Sequence, residues 1–346
     1  MSAAGQIDLG ALSTRFVRIT PEAARDAAQA LYGLSGDLRR LDTEKDDTFR
    51  LDAGAQSYIL KIANPGESAA ELDLQAEVLR HLERRAPDLP VPRILPARNG
   101  ALVPELTDAS GLRRVRLMSY LPGTVLDTVT PTPAERHEIG RLLGRLRLAL
   151  ADFRHPGARR MLAWDVRHLD ALSPLLAQVD DAGHRAMLEA GLIRYRALLP
   201  RIHALPRQVV HNDFSRSNLL VARPGGVCGI IDFGDVVETA IAIDVSTALL
   251  NQLPRDAAET PVEDLLAEAK QLLAGYLEVA ALSTEERALL PHLVMGRIIT
   301  RALLSLWRAR EFPDNSRYIL RNTDQGWAQL AWFLARTPEQ ISTLLP

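Results

Sequence analysis

The residues best suited to chemistry form two short polar motifs, H-N-D-F-S-R-S-N at 211–218 and D-F-G-D at 232–235. Phosphoryl transfer needs a carboxylate that orients the attacking hydroxyl, and oxygen ligands that hold Mg²⁺ on the nucleotide phosphates. Asp213 is the candidate for the orienting carboxylate. Asn218 and Asp232 are the candidate Mg²⁺ ligands, because this ion prefers carboxylate and amide oxygens. A solvated turn beside a helix-capping aspartate would explain each residue, but it would not explain their spacing.

The segments around both motifs are apolar and rich in β-favouring residues. Residues 208–210 and 219–221 flank the first motif, and 229–231 lead directly into Asp232. This pattern predicts a loop between two short strands, with Asp232 at the end of a third strand. His211 lies two residues before Asp213. We expect it to hold the loop by hydrogen bonds rather than to carry a proton.

The two motifs resemble those of the aminoglycoside phosphotransferase and choline kinase group, which are small-molecule relatives of protein kinases. That group usually has H-G-D where this chain has Asn212. The closer resemblance is to the 5-hydroxylysine kinase and type II homoserine kinase branch. It extends to the turn at 41–49, the lysine-bearing strand at 58–65, and the F-x-H-P and W-D landmarks at 153–156 and 164–165.

This resemblance implies an α+β, two-lobed protein-kinase-like fold, with a small antiparallel-sheet N-lobe and a larger, mainly helical C-lobe. It also implies an activity, the transfer of the γ-phosphoryl group of ATP or GTP to a hydroxyl of a small amine or amino acid, with Mg²⁺ as cofactor. The order of helical and strand-like segments agrees: Thr20-Pro21 predicts the start of a helix, Gly54-Ala55 predicts a hairpin turn, and helical segments are expected over roughly 169–198. We therefore predict an N-lobe at 1–121 and a C-lobe at 122–346, with the tether at Pro122-Gly123.

Lys61 ends an apolar strand and is the candidate ligand of the α- and β-phosphates. A glutamate on the following helix normally fixes this lysine, but alignment places Gln75 at that position. Helical periodicity puts Gln75 on the apolar face, and Glu71, one turn earlier, is the one acid that could substitute. We expect Gln75, Glu71 or both to position Lys61.

The rest of the nucleotide site is less clearly encoded. The turn at 44–48 has acids where a phosphate cradle would have glycines, so its backbone N–H groups and Thr48 are the donors that we can assign. The resemblance places the base against the tether. There it would bond to the Ser119 carbonyl and the Leu121 amide, with Met118 behind it.

Several residues are candidates for substrate contacts. Asp235 is a candidate for a second metal contact or for a substrate amine. Arg297 and Arg301 are four residues apart and share one helix face, where either could clamp a carboxylate or simply face solvent. Arg216 could donate to the transferred phosphate or hold the loop. We expect Asp244 to be a helix N-cap.

The composition excludes several other classes of protein. The 346 residues are 47% hydrophobic and carry a formal net charge of −2, which provides no field to attract nucleic acid or anionic lipid. The single cysteine, Cys228, excludes a disulfide framework. No signal peptide is apparent, and no apolar run approaches the roughly 20 residues that span a bilayer. We expect a cytoplasmic protein whose partner is a small molecule.

Two alternatives remain open at this point. An antibiotic-modifying phosphotransferase of the same fold would need an acidic rim for a polycationic substrate, whereas 154–160 and 296–310 are rich in arginine. A nucleotide-binding pseudokinase without turnover would fit the missing glutamate and the glycine-free turn. The presence of Lys61, Asp213, Asn218 and Asp232 together argues against it.

Overall fold

The computed structural model describes residues 16–346, except 42, 44, 45, 109, 110, 261 and 322. The first helix, α1, spans Pro21–Tyr32, as predicted from its Thr-Pro start. The Thr20 hydroxyl accepts a hydrogen bond from the Ala23 amide at 3.2 Å. The proline follows at the first helical position, where its missing N–H leaves no helical hydrogen bond unmade.

An antiparallel sheet follows α1. Within the described residues it has six strands in the order β1-β2-β3-β6-β4, with β5 paired to β6. The strands are β1 (Asp37–Arg40), β2 (Asp47–Ala53), β3 (Gln56–Ile62), β4 (Ile94–Leu95), β5 (Glu105–Asp108) and β6 (Gly111–Ser119). Gly54 has φ +64° in the turn between β2 and β3, which is the hairpin turn predicted from the sequence.

Helix α2, Ala69–Arg85, crosses between the sheet and the rest of the molecule. Ser68 and Glu71 form a capping box at its start, with each side chain bonded to the backbone of the other residue. Leu74, Val78 and Leu82 are fully buried in the larger of two apolar clusters, most of which lies in the C-terminal part. The helix is therefore attached to the C-terminal part by its apolar face.

The C-terminal part is mainly helical. Its described helices are α3 (Pro133–Ala149), α4 (Ala182–Ala204), α5 (Ile241–Leu250), α6 (Ala267–Val279), α7 (Thr284–Glu311), α8 (Ser316–Ile319), α9 (Thr323–Leu334) and α10 (Pro338–Ser342). The segment Val166–Gln178, predicted as ordinary helix, forms 3₁₀ turns with Pro174 inside. Proline lacks the N–H that a regular α-helix needs there.

Helix α7 runs through the middle of the C-terminal part. In the described part of the chain it is the one helix long and apolar enough to cross a membrane, and 83% of its most apolar 18-residue window is buried inside the protein. Because two arginines interrupt it, this stretch was not expected from the sequence to form a long apolar helix. α7 is the core helix against which α5 and the Val166–Gln178 segment pack.

The smaller apolar cluster joins α1 to the sheet, with Phe49, Leu60 and Leu117 among its buried members. The larger cluster fills the C-terminal part. The predicted α+β organisation, a sheet followed by helices, is confirmed. The division at 121/122 stays a prediction, since the apolar face of α2 joins the cluster beyond that boundary.

A buried ion pair stabilises the edge of the sheet where β2 begins and β3 ends. The Arg113 guanidinium donates to Asp47 Oδ2 at 2.8 Å, to the Ala63 carbonyl at 2.8 Å and to the Ile62 carbonyl at 3.0 Å. Asp47 also accepts from the Ile19 amide at 3.1 Å. Burial opposes ionisation of Asp47, but these hydrogen bonds hold the pKa of its carboxyl below the usual range. Asp47 therefore has a structural role.

Replacing Asp47 by asparagine should lower the free energy of unfolding by about 3 kcal/mol, because it removes the nearer of the two carboxylates that pair with the buried Arg113 charge and leaves only Asp108 at 3.4 Å. The matched control is Asp52→Asn on the same strand. Asp52 pairs with Arg50 near the surface, and its loss should cost about 1 kcal/mol or less. Urea unfolding of both variants measures the difference. Equal destabilisation would contradict the structural role assigned to Asp47.

Candidate active site

The first motif lies on a loop between two short strands, as predicted. Strand β8, Arg207–Val210, pairs with β11, Val237–Ala240. Strand β9, Leu219–Ala222, pairs with β10, Gly226–Ile230, and with the two-residue β7, Thr124–Val125. The chain therefore passes from one small sheet to another across the loop. The second motif begins directly after β10. This arrangement brings the two motifs together at the ends of three strands.

Asn212 lies in this loop with a φ of +62°. This left-handed conformation explains why related sequences have glycine here, and asparagine is among the few other residues that adopt it readily. The backbone N–H of Asn212 donates to Asp244 Oδ1 at 2.7 Å. The prediction that Asp244 is an N-cap was wrong. Helix α5 begins earlier, at Ile241, so Asp244 lies in its first turn and fixes the catalytic loop.

His211 holds the same loop from its other side. Its Nδ1 accepts from the Asp213 amide at 3.3 Å, and its Nε2 bonds to the Ile231 carbonyl at 3.1 Å. An acceptor at Nδ1 and a carbonyl partner at Nε2 require the neutral tautomer with the proton on Nε2. The ring is fully buried. These contacts agree with the predicted structural role of His211.

The Asp213 carboxylate is oriented by its neighbours. The Asn218 amide donates from Nδ2 to Asp213 Oδ2 at 2.7 Å and to the Asp213 carbonyl at 3.0 Å. Burial raises the pKa of Asp213, and the charge of Asp235 raises it further, while Arg297 acts in the opposite direction. Asp213 is thus a carboxylate with a raised pKa and a fixed orientation, as expected of a group that accepts or orients a proton.

The Lys61 amino group lies between two acids, one just before β2 and the other in the second motif. Its Nζ is 3.3 Å from Asp46 Oδ2 and 3.9 Å from Asp232 Oδ1. Burial lowers the pKa of Lys61, but the charges of Asp232 and Asp46 outweigh it, so the pKa lies above its ordinary value. The structure thus joins Lys61, on the N-terminal sheet, to the second motif.

The expectation that Gln75 or Glu71 positions Lys61 was wrong. The Gln75 side chain accepts a hydrogen bond from Arg116, which lies opposite Lys61 on the neighbouring strand β6. Glu71 Oε1 accepts from Arg160 at 2.7 Å. Two arginines therefore occupy the acceptors that were expected to serve the lysine.

Asp46 takes the place of the missing glutamate. It precedes β2, where Thr48 pairs directly with Lys61 across the hairpin. Thr48 was expected to donate to a phosphate. Its hydroxyl instead donates to Asp46 Oδ1 at 2.6 Å. Glu44 and Lys45, in the predicted phosphate turn, lie outside the described residues.

The predicted base-binding residues lie at the end of β6 and the start of the tether. Met118 pairs with Ile59 on one side and Ile94 on the other. The Ser119 hydroxyl accepts from the Arg93 amide at 2.8 Å. Met118, Ser119 and Leu121 are all partly exposed. Their contact with a nucleotide base stays a prediction.

The segment 153–165, which contains the mid-chain landmarks and Arg160 between them, connects α2 to the second motif. His155 Nε2 is 3.1 Å from Asp73 Oδ2 on α2. Arg160 donates to Glu71 on the same helix, and also to the Gly234 carbonyl at 2.6 Å and the Val236 carbonyl at 2.9 Å. Sequence reasoning recognised these landmarks but assigned them no role.

The two arginines of α7 differ in their surroundings. Arg297 is buried and donates to the Trp164 carbonyl and, at 3.4 Å, to the Asn212 carbonyl. Arg301 donates to Gln329 Oε1 at 2.9 Å. The alternative of a solvated helix face was therefore wrong for Arg297. Arg216 donates to the Val129 carbonyl at 2.6 Å, which favours the role in holding the loop.

Comparison with known proteins agrees with this geometry. The sequence profile described as the phosphotransferase enzyme family matches residues 37–282. Hydroxylysine kinase from Danio rerio is 24% identical over 90% of this chain and 91% of its own length. Homoserine kinase from Mesorhizobium japonicum is 28% identical over 76% of this chain and 78% of its own length.

Among solved structures, a microcompartment-associated aminopropanol kinase superposes with a TM-score of 0.71 and 21% identity, covering 90% of this chain and 95% of the other. Identity at this level shows the fold alone. It confirms the two-lobed, kinase-like α+β architecture predicted from the motifs.

Replacing Asp46 by asparagine should make Lys61 more reactive toward acylating reagents, because a charge that raises the pKa of Lys61 is lost and more of its amine is neutral at a given pH. Gln75→Leu is the matched control, and it should leave the reactivity unchanged. Mass spectrometry of Lys61 acylation against pH measures both. If the Gln75 variant alone altered the reactivity, Asp46 would not be the partner.

Proposed function

The chain belongs to the phosphotransferase enzyme family, and on that premise we propose that it transfers the γ-phosphoryl group of ATP or GTP to a hydroxyl of a small amine or amino acid. Hydroxylysine and homoserine are the first substrates to test. One observation carries the proposal. The Asn218 side-chain amide fixes the Asp213 carboxylate, and the Lys61 ammonium lies 3.9 Å from the Asp232 carboxylate of the second motif. These are the parts that phosphoryl transfer requires.

In this proposal Asp213 accepts a hydrogen bond from the acceptor hydroxyl and aligns its oxygen with the γ-phosphorus. Alignment of this kind accounts for much of the catalysis in phosphoryl transfer, because the loose transition state needs little covalent assistance. The Asn218 amide prevents rotation of the carboxylate. Arg297 opposes its protonation, since the positive charge lowers the pKa that burial raises.

Lys61 binds the α- and β-phosphates in this proposal. Its ammonium is already held by Asp46, which positions the lysine as a glutamate on the helix does in related kinases. The base would lie against Met118, with the Ser119 carbonyl and the Leu121 amide as its hydrogen-bond partners. Backbone contacts of this kind suit either ATP or GTP.

The residues around Asp232 fit a divalent cation, for which we propose Mg²⁺. The Asp232 side chain is about half exposed, at 51%, so it is accessible to a metal–nucleotide complex. Asn218 uses its amide nitrogen on Asp213, which leaves Oδ1 as the atom for the metal. No group of three His, Cys, Asp or Glu side chains in the described part of the chain could hold a metal. That agrees with an ion bound largely by phosphate and water, which Mg²⁺ favours. The cation would neutralise charge on the phosphates.

Two observations bear on the alternative functions. The arginine-rich segment 154–160 argued against a polycationic substrate. In the structure its Arg154 and Arg160 donate to carbonyls and to Glu71 within the protein. They therefore neither favour nor exclude an aminoglycoside substrate. The pseudokinase alternative is weakened, because Lys61 has an acidic partner despite the missing glutamate.

We propose a cytoplasmic location and a small-molecule acceptor, without a nucleic-acid or membrane partner. The net charge of −2 and the single cysteine support this. Asp235 is proposed as the contact for a substrate amine or a second metal. It is close enough to Asp213 and Arg297 to influence the charge state of both.

Replacing Asp213 by asparagine should reduce kcat by at least ~100-fold and leave the Kd for the nucleotide within about threefold, since the carboxylate acts on the hydroxyl and not on the donor. The matched control is Asp180→Asn, at an exposed site that pairs with Arg310 near the end of α7, and it should behave like the parent protein. A coupled assay of nucleoside diphosphate release, with hydroxylysine or homoserine as acceptor, measures turnover. Near-normal turnover in the Asp213 variant would remove the basis of the proposal.

The dependence of kcat on pH should report the raised pKa of Asp213. Because the ionised carboxylate is the active form, kcat should fall as pH decreases through a value above the ordinary aspartate pKa of about 3.9. Asp235→Asn should move this acid limb to lower pH, because the charge of Asp235 raises the pKa of Asp213. An unchanged limb in that variant would show that another group controls it. Circular dichroism at each pH excludes unfolding as the cause.

A further inference from the structure

The guanidinium of Arg301 has an unusual environment in the C-terminal part. The residue lies on the buried helix α7 and is itself only partly exposed. Its Nη2 donates to Gln329 Oε1 at 2.9 Å. Gln329 is 2% exposed, and its own Nε2 donates to the Pro254 carbonyl at 3.0 Å. The amide is thereby fixed with its oxygen toward the arginine, and this partner carries no charge.

No carboxylate among the described residues forms an ion pair with Arg301. Burial lowers the pKa of Arg301, and the charges of Arg297 and Arg255 lower it further, to about 10. The neighbouring arginines are compensated. Arg255 forms an ion pair with Asp127. Arg297 is influenced by four acids, Asp213, Asp235, Asp165 and Asp244.

A partly buried cation without an anion is costly, because one hydrogen bond to a neutral amide does not offset the hydration that the charge loses. A permanent acid at position 329 would remove that cost, and glutamine does not. The partly exposed Arg301 therefore keeps a positive charge available for an anion from outside the protein. Guanidinium is well suited to a carboxylate, which it binds with two parallel hydrogen bonds.

The position of Arg301 relates this charge to the catalytic loop. It lies one helical turn, a rise of about 6 Å, beyond Arg297 on α7. Arg297 contacts the Asn212 carbonyl, which precedes Asp213. Arg301 is therefore one helical turn from the residue that contacts the loop carrying Asp213.

We infer that Arg301 binds the carboxylate of the acceptor, so that the enzyme selects hydroxy amino acids over the amino alcohols that lack a carboxylate. This inference rests on the proposed function. It defines the acceptor class more narrowly, as a molecule with a hydroxyl at Asp213 and a carboxylate at Arg301. Arg301 is a specificity determinant and takes no part in the phosphoryl transfer.

The test uses two pairs of acceptors that differ only in the carboxylate. Homoserine is compared with 3-aminopropan-1-ol, and 5-hydroxylysine with 1,5-diaminopentan-2-ol. For the better pair, kcat/KM of the parent protein should be at least ~30-fold higher for the carboxylate-bearing member, as expected for charge-assisted hydrogen bonds. This comparison needs no variant, so a folding defect cannot obscure it.

Arg301→Gln should then lower kcat/KM for the carboxylate-bearing acceptor by ~30-fold or more, mainly through KM, and leave the other acceptor within about threefold. Arg301→Lys, which keeps the charge but loses the planar pair of donors, should fall between the two. Arg310→Gln is the matched control on the same helix. It is exposed and pairs with Asp180, and it should change neither value.

Two results would overturn the inference while leaving the proposed function intact. One is equal turnover of both members of each pair by the parent protein. The other is an equal loss for both members in Arg301→Gln, which would indicate a purely structural contact with Gln329. Failure to transfer phosphate to any of the four acceptors would instead overturn the proposed function, and the inference with it.

Discussion

The ammonium group of Lys61, held between Asp46 and Asp232, is the interaction on which the rest of the site depends. Asp46 belongs to the N-terminal sheet and Asp232 to the second motif, so one positive charge connects the two parts of the molecule. In the proposed complex, a nucleotide with its cation would replace the attraction between Lys61 and Asp232, and Asp46 would keep the lysine in place.

The loss of the usual lysine–glutamate contact is compensated elsewhere in the structure. In protein kinases that contact positions the helix relative to the active site. Here Gln75 is bonded to Arg116, and the helix α2 is connected to the second motif through Arg160. The His155–Asp73 contact adds a second connection at the same surface. The segment 153–165 thus links α2 to the second motif, as a single lysine–glutamate ion pair links the helix to the active site in protein kinases.

Local signals predicted much of the fold and the loop. The start of α1 followed from Thr20 and Pro21, and the strands beside the loop followed from their apolar composition. The roles of Asp244 and Arg160 could not be predicted in this way. Each acts on a residue far away in the sequence, and no local pattern records such a contact.

Asp46 is an intermediate case, because a signal for it was present. A hairpin centred on Gly54-Ala55 pairs position 48 with position 61, and β2 and β3 have this register. Asp46 lies one residue before β2 and two residues before Thr48, the cross-strand partner of Lys61. This separation places Asp46 close to Lys61, within reach of the long lysine side chain. Combining the turn with the requirement for an acid would have identified it.

The central claim is that Lys61, Asn218 and Asp232 form a single site for a nucleotide and its divalent cation. The most direct test measures Mn²⁺ binding by electron paramagnetic resonance, with and without a non-hydrolysable ATP analogue. The account predicts tight Mn²⁺ binding only when the analogue is present, weakened at least ~10-fold by Asp232→Asn and unchanged by Asp180→Asn. Equal Mn²⁺ affinity in the Asp232 variant and the parent protein would contradict it.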